Sequence, residues 1–276
     1  MLFRSVSEIN GTNAYDQTDP WHKKVNDYFV ANDPYRHPTT ASGSGEWDWS
    51  TGHAVMDVPQ AHLYDFDHGA PGSNNIDVIG AAEHVAEWTQ KMLQNADKPN
   101  WIGEFGVEGT AYYPELFHHS IWAALASGAS MTPAEWNSGG SWGRLTPEMK
   151  ADLSRLAQFT QDMPLAKWNP QALNITSSDA VMRGWGVAGK DGGLFWVQDY
   201  SAEGKTIEEV RLSITVRSNV QIEIAGLAEG SYSIQPFDTW QGKYLDAFDI
   251  NCKTNEPCTL NLPDLSSDMA FKIIRK

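Results

Sequence analysis

Residues 98–109 (KPNWIGEFGVEG) place a carboxylate in a setting that is unusual for one. A short apolar, β-prone run holds a single acid, Glu104, between Gly103 and Gly106. A carboxylate in a buried strand is costly unless it is paired or performs chemistry. Flanking glycines remove side-chain bulk and let other groups approach closely. Two interpretations follow: a strand-end glutamate paired with an Arg or Lys, or a carboxylate that takes part in a reaction.

Other side chains able to bind or activate a substrate lie near the ends of predicted strands. His62 and Tyr64 belong to one such strand, and Glu8 lies close to the start of the chain. A strand histidine or tyrosine is often a satisfied core residue, and an acid near a chain start can simply be solvated. Aromatic rings either pack in cores or stack on flat apolar faces such as those of sugars. The tryptophans considered for stacking are Trp47, Trp49 and Trp136.

Composition and charge exclude several classes of partner. The 276 residues carry a net charge of −15, which disfavours nucleic acid and anionic membranes as partners. No apolar run approaches the ~20 residues of a membrane span. No cluster has metal-ligand spacing and no phosphate-binding loop occurs, so no cofactor or metal is expected. His118 and His119, beside apolar positions of a predicted helix, are interpreted as structural.

The two cysteines, Cys252 and Cys258, lie close together across a predicted turn. A disulfide at a hairpin end is one interpretation and favours an oxidising compartment; two reduced thiols are the other. Residues 1–7 lack the charged and apolar regions of a signal peptide. We nevertheless expect a secreted or periplasmic location.

Strands and helices alternate in the first part of the chain. Such alternation predicts an α/β fold with a parallel sheet and helices outside it. The predicted strands are 2–9, 38–42, 61–66, 101–107 and 129–136. The predicted helices start at Asp19–Pro20, at residue 75, at Pro114 and at Thr146, and the last ends near Asp162.

The composition changes near residues 164–170, after which strands and turns dominate. We therefore expect two domains: residues 1–166, and an all-β, immunoglobulin-like sandwich over residues 167–276. Its predicted strands are 180–187, 193–200, 210–216, 220–224, 231–237, 259–262 and 270–274.

Several motifs together resemble the clan A retaining glycoside hydrolases, especially cellulase-like members of the family 5 type. The matching pieces are IGEFG at 102–106, HLY at 62–64, TPAEW at 132–136, FRSVSEINGT at 3–12 with the following DPYRHPTTAS, and FDTWQGKYLD with LPDLSSDMAFKI near the C-terminus. The resemblance covers essentially the whole chain. It implies strands four to eight of a TIM-type (β/α) barrel, about five β/α units, followed by an appended β-sandwich.

The resemblance also implies a role for each candidate side chain. Glu104 would be the nucleophile and Glu8 the acid/base, with His62, Tyr64 and Trp136 contacting the sugar or holding the carboxylates. Ser7 stands where the family has an asparagine that binds the sugar 2-hydroxyl. Trp47 and Trp49 could extend the cleft.

The expected substrate is a β-linked, cellulose- or mannan-like glycan, cleaved with retention of configuration. The alternative is a vestigial, non-catalytic carbohydrate-binding protein with the same fold. Because the resemblance starts at the fourth barrel strand, the sheet would have open edges, and we expect a homodimer that pairs two open sides.

Overall fold

The computed structural model describes residues 3–4, 18–44, 55–64, 77–96, 98–106, 113–136 and 145–276. The described residues between 3 and 160 form a parallel sheet and four helices, here called the α/β part. Residues 171–276, here called the β-rich part, are mostly antiparallel strands. No helix among the described residues is long and apolar enough to cross a membrane.

The parallel sheet has its strands in the order in which the chain makes them. Four strands lie side by side as β1-β2-β3-β4, and every pairing is parallel. Their bounds are Phe3–Arg4 (β1), Thr39–Ser44 (β2), Val58–Leu63 (β3) and Trp101–Phe105 (β4). The predicted strand 129–136 is reduced to one parallel bridge between Glu135 and Phe105. The described strands form an open sheet and not a closed barrel.

Helices connect and cover this sheet. They are Thr18–Asn32 (α1), Ala81–Ala96 (α2), Pro114–Ala126 (α3) and Pro147–Thr160 (α4). Proline at the first turn of α3 and α4 suits a position whose N–H has no partner within the helix. The Thr146 side chain accepts a hydrogen bond from the backbone N–H of Met149 and so caps α4, as the sequence predicts.

The β-rich part is one curled sheet of nine antiparallel strands in the order β10-β9-β13-β7-β6-β5-β8-β12, with β11 beside β9. Their bounds are Gln171–Ser177 (β5), Met182–Gly189 (β6), Gly192–Asp199 (β7), Gln221–Ala225 (β8), Gly230–Asp238 (β9), Lys243–Tyr244 (β10), Phe248–Cys252 (β11), Cys258–Asn261 (β12) and Asp268–Arg275 (β13). The first half of β5 pairs with β6 and its second half with β8, which lets the sheet curl.

The prediction of a strand at 210–216 was wrong. Ile207–Leu212 forms a short helix (α5) instead. Thr206 and Glu209 form a reciprocal capping box, in which each side chain binds the other residue's backbone N–H. This local signal outweighs the β-prone valines that suggested a strand. The sequence did not predict β5, β10 and β11.

Two apolar clusters stabilise the molecule. One lies inside the curled sheet and includes Phe195, Ile234 and Phe271. The other joins both parts, because helices α2, α3 and α4 pack on the opposite face of the same sheet through Trp196 and Phe237. The two parts therefore share one core.

A disulfide joins Cys252 at the end of β11 to Cys258 at the start of β12, which confirms the predicted pairing. These strands pair with β9 and β8, from opposite ends of the strand order. The bond therefore fastens the two ends of the curled sheet to each other.

Candidate active site

Strands β3 and β4 bring three of the predicted site residues together at their carboxyl ends. The parallel register pairs His62 with Glu104, and Tyr64 follows the end of β3. The carboxyl ends of parallel strands in α/β folds are the usual place for a ligand site. The pairing of His62 with Glu104 could not be predicted from sequence spacing alone, because the register between β3 and β4 shifts between Ala61 and His62.

The Glu104 carboxylate is bound by two side chains from β3 and its end. The Tyr64 hydroxyl donates to Oε2 of Glu104 at 2.5 Å, and Nδ1 of His62 lies 3.2 Å from the same oxygen. The His62 side chain is fully buried, whereas the Glu104 side chain keeps 10% exposure. The protein thus holds Glu104 while a small part of its side chain stays exposed, and a nucleophile must be accessible to its substrate.

Glycine at position 103 is a steric requirement of this arrangement. A Cβ there would lie 1.8 Å from Oε1 of the buried Gln60. The Gln60 amide in turn donates to Oγ1 of Thr40 at 3.0 Å, and that hydroxyl donates to the carbonyl of Val58. A layer of buried polar side chains that the sequence did not predict therefore supports the strands beneath Glu104.

Gly106 allows the segment that carries Trp136 to lie directly beside β4. Its φ of +148° lies at the edge of the left-handed region, and a Cβ there would come 2.2 Å from the Trp136 carbonyl. The backbone N–H of Trp136 donates to Phe105 at 2.6 Å. Trp136 is 36% exposed next to the end of β4. An exposed indole at this edge could stack on a sugar ring.

Four predicted site residues lie outside the described residues: Ser7, Glu8, Trp47 and Trp49. Their roles stay predictions. The structure brings together Glu104, His62, Tyr64 and Trp136.

A second histidine–carboxylate group lies where α3 and α4 meet the β-rich part. Nδ1 of His118 lies 2.7 Å from Asp152 on α4, and Nε2 lies 3.1 Å from Asp268 on β13. Arg155 also pairs with Asp152. The indole N–H groups of Trp196 and Trp240 donate to Asp268 at 2.8 and 2.6 Å. These contacts agree with the structural interpretation of His118.

The charges of this group shift its pKa values in opposite directions. Burial would lower the pKa of His118, but the charge of Asp268 and the hydrogen bonds to Asp152 and Asp268 raise it. Burial would raise the pKa of Asp268, but the charge and hydrogen bond of His118 lower it well below its usual range. The pKa of His119 is lowered, mainly by burial. Each member of the His118–Asp268 pair thus favours the ionised form of the other.

No family model matches the sequence, and no curated protein matches it. Solved structures do match over nearly the whole chain. A family 5 glycoside hydrolase from Bacteroides vulgatus aligns with a TM-score of 0.55 and 11% identity, over 95% of this chain and 60% of that one. A candidate glycoside hydrolase from the same organism gives a TM-score of 0.54 and 15% identity, over 92% of this chain and 48% of that one.

A third match is the family 44 endoglucanase Cel44A from Clostridium thermocellum, with a TM-score of 0.51 and 9% identity, over 99% of this chain and 66% of that one. The fold is therefore of the glycoside hydrolase type. The chain spans about half to two thirds of the length of the structures it resembles.

Proposed function

We propose that this protein is a retaining β-glycosidase with Glu104 as its nucleophile. The observation that carries the proposal is the position of Glu104 at the carboxyl end of β4, bound by Tyr64 and His62 and still reaching solvent. Resemblance to glycoside hydrolase structures supports the same reaction class. The expected substrates are β-linked glycans of the cellulose or mannan type.

The reaction uses two carboxyl groups about 5–5.5 Å apart. Glu104 attacks the anomeric carbon and forms a glycosyl-enzyme while an acid protonates the leaving oxygen. The residue that acted as the acid then acts as a base and activates a water molecule, which releases the sugar from Glu104. We assign that second role to Glu8, from the motif that it shares with the family. Ser7, Trp47 and Trp49 complete the proposed sugar contacts, and Trp136 stacks beneath the bound ring.

The proposed architecture is part of a (β/α) barrel, strands four to eight, over residues 1–166, followed by an immunoglobulin-like sandwich over residues 167–276. The parallel order β1-β2-β3-β4, with residue 135 beside β4, supports it. The disulfide supports an extracellular or periplasmic location.

We further propose a homodimer through the β1 side of the parallel sheet. Among the described residues, β1 pairs on one side only. Helix α1, which follows it, exposes Trp21 by 42% and Tyr28 by 64%. Open strand edges and exposed aromatic rings each favour association. Sedimentation at micromolar concentration should show a dimer, and a monomer there would refute this part of the proposal.

The test of the catalytic role is hydrolysis of aryl β-glycosides together with labelling by a 2-deoxy-2-fluoro glycoside. The wild type should turn over the former and be labelled by the latter on a peptide that contains Glu104. Glu104→Gln should lower kcat/KM by about 10³-fold or more, without loss of folding. A matched control is Glu87→Gln, an acid exposed on helix α2.

Each outcome has a distinct meaning. Activity that survives Glu104→Gln would exclude Glu104 as the nucleophile. A folded wild type that is neither active nor labelled, but that binds β-glycans, would support the non-catalytic carbohydrate-binding alternative.

A further inference from the structure

Lys272 occupies an apolar face of the curled sheet. On β13, Phe271 and Ile273 point into the core inside the sheet, so Ala270 and Lys272 point to the face that packs on the helices. Ala270 belongs to the core shared by both parts. Lys272 lies at the margin of that core, in register with Gln235 on β9.

The side chain of Lys272 is largely buried, and its ammonium lies near two aromatic rings. The residue is only 8% exposed. Its Nζ lies 5.0 Å from the ring centre of Tyr244 and 5.5 Å from that of Phe159. Both contacts are of the cation–π kind. An ammonium carries three donors, which a ligand in an adjoining cavity can accept.

The ammonium borders a cavity of about 400 Å³, within the usual size range of small-ligand sites. It lies between the end of α4, the segment that follows it and strands β9, β10 and β13. Its polar and aromatic lining residues are Asp162, Trp168, Asp191, Gln235, Tyr244 and Lys272. None of the lining residues belongs to the candidate active site.

The lining offers three kinds of contact at once. The rings of Trp168 and Tyr244 provide apolar faces. Lys272 provides donors, while the exposed carboxylates of Asp162 and Asp191 provide acceptors. The Gln235 amide donates to the carbonyl of Leu245 at 2.6 Å, which fixes that side chain beside Lys272.

We propose that this cavity is a second saccharide site, separate from the candidate active site. A sugar hydroxyl both accepts and donates, so neighbouring hydroxyls can bind Lys272 and an aspartate together, while the C–H face of the ring packs on an indole. Two carboxylates at the rim oppose a ligand that carries negative charge. The ligand class is therefore a neutral sugar. The choice of a β-glycan as the probe rests on the proposed function.

The site is tested by calorimetry with cellohexaose and mannohexaose, in a chain that carries Glu104→Gln to prevent hydrolysis. Two binding sites are expected. Lys272→Met keeps the apolar stem and removes the donors, so it should weaken one site by about tenfold or more and leave the other unchanged. Lys243→Met makes the same change at an exposed lysine on β10 and should leave both sites intact.

A second measurement covers the case in which Lys272→Met fails to fold. Hydrogen exchange is measured on the chain that carries Glu104→Gln and keeps Lys272. The oligosaccharide should protect residues 243–244 and 272–274 in this chain. Identical isotherms for the two lysine variants, or a lack of protection there, would overturn the site. Tighter binding of a glucuronic acid oligosaccharide than of the neutral ones would overturn the ligand class. Loss of hydrolysis in the wild type would refute the proposed function alone, since the protection pattern does not depend on turnover.

Discussion

Two buried carboxylates in this protein each lie against a histidine, and their surroundings differ. Glu104 lies at the end of a parallel strand, where Tyr64 and His62 contact one carboxylate oxygen and the side chain keeps 10% exposure. Asp268 lies at the start of β13 with a fully buried side chain.

The difference lies in how the lone pairs are used. Both oxygens of Asp268 accept hydrogen bonds from the protein: Trp240 and Ser267 donate to Oδ1, and His118, Trp196 and Thr239 to Oδ2. An ionised carboxylate has about four lone-pair sites, so no room remains for a substrate. A histidine–carboxylate pair therefore indicates chemistry only where the carboxylate can still be reached. Asp268 instead fastens the β-rich part to α3 and α4.

The largest expected effect on stability follows from this difference. Asp268→Asn removes one of the two carboxylates that contact buried His118, and breaking a buried pair in this way costs about 3–5 kcal/mol. Urea denaturation should show a loss of that size. Glu104→Gln, at the accessible carboxylate, should change the free energy of unfolding by about 1 kcal/mol or less. Similar losses in the two variants would remove the distinction between a structural and a functional carboxylate.

The pH dependence of stability gives a smaller effect with a definite sign. The pKa of His118 is raised above its ordinary value of 6.5 in the folded protein. Its stabilisation is therefore complete below pH 6.5 and is lost as the pH rises through the raised value. The lowered pKa of Asp268 acts in the opposite sense: its contribution is present above pH 3.8 and is lost as the pH falls through the lowered value.

The measurement is the free energy of unfolding from pH 6 to pH 10, in the wild type and in His118→Gln. The difference between them should be largest at pH 6 and should shrink as the pH rises. A difference that stays constant or grows over this range would show that His118 is not charged in the folded protein.

The alternation of strands and helices was predictable from sequence because periodicity and caps are local. The helix starts at Pro114 and Pro147 and the strand around Glu104 were predicted within a few residues. The prediction of a strand at 210–216 was wrong because the valines suggested β structure, whereas Thr206 and Glu209 cap a helix. The prediction of a strand at 129–136 was only partly right. This segment contacts β4 through backbone hydrogen bonds around Phe105 and Trp136.

The candidate site was predictable only as far as motifs reach. The motifs indicated Glu104, His62 and Tyr64, and the contacts among them follow from the β3–β4 register, which depends on a shift that no local pattern shows. The Asp268 group joins residues up to 150 positions apart, so its members could not be connected from sequence. The position of Lys272 on an apolar face likewise depends on which strands lie beside β13.

The smallest change that tests the difference between Glu104 and Asp268 is Tyr64→Phe, which removes one hydrogen bond to Glu104 and keeps the ring. A hydrogen bond to a charged group contributes about 1.5–3 kcal/mol, so kcat/KM for aryl β-glycosides should fall by about 10- to 100-fold. Because Glu104 still reaches solvent and retains His62, stability should change little. Tyr35→Phe makes the same change at a tyrosine that is 81% exposed and should alter neither quantity. A Tyr64→Phe variant that loses stability while keeping its activity would place Glu104 in the same structural class as Asp268.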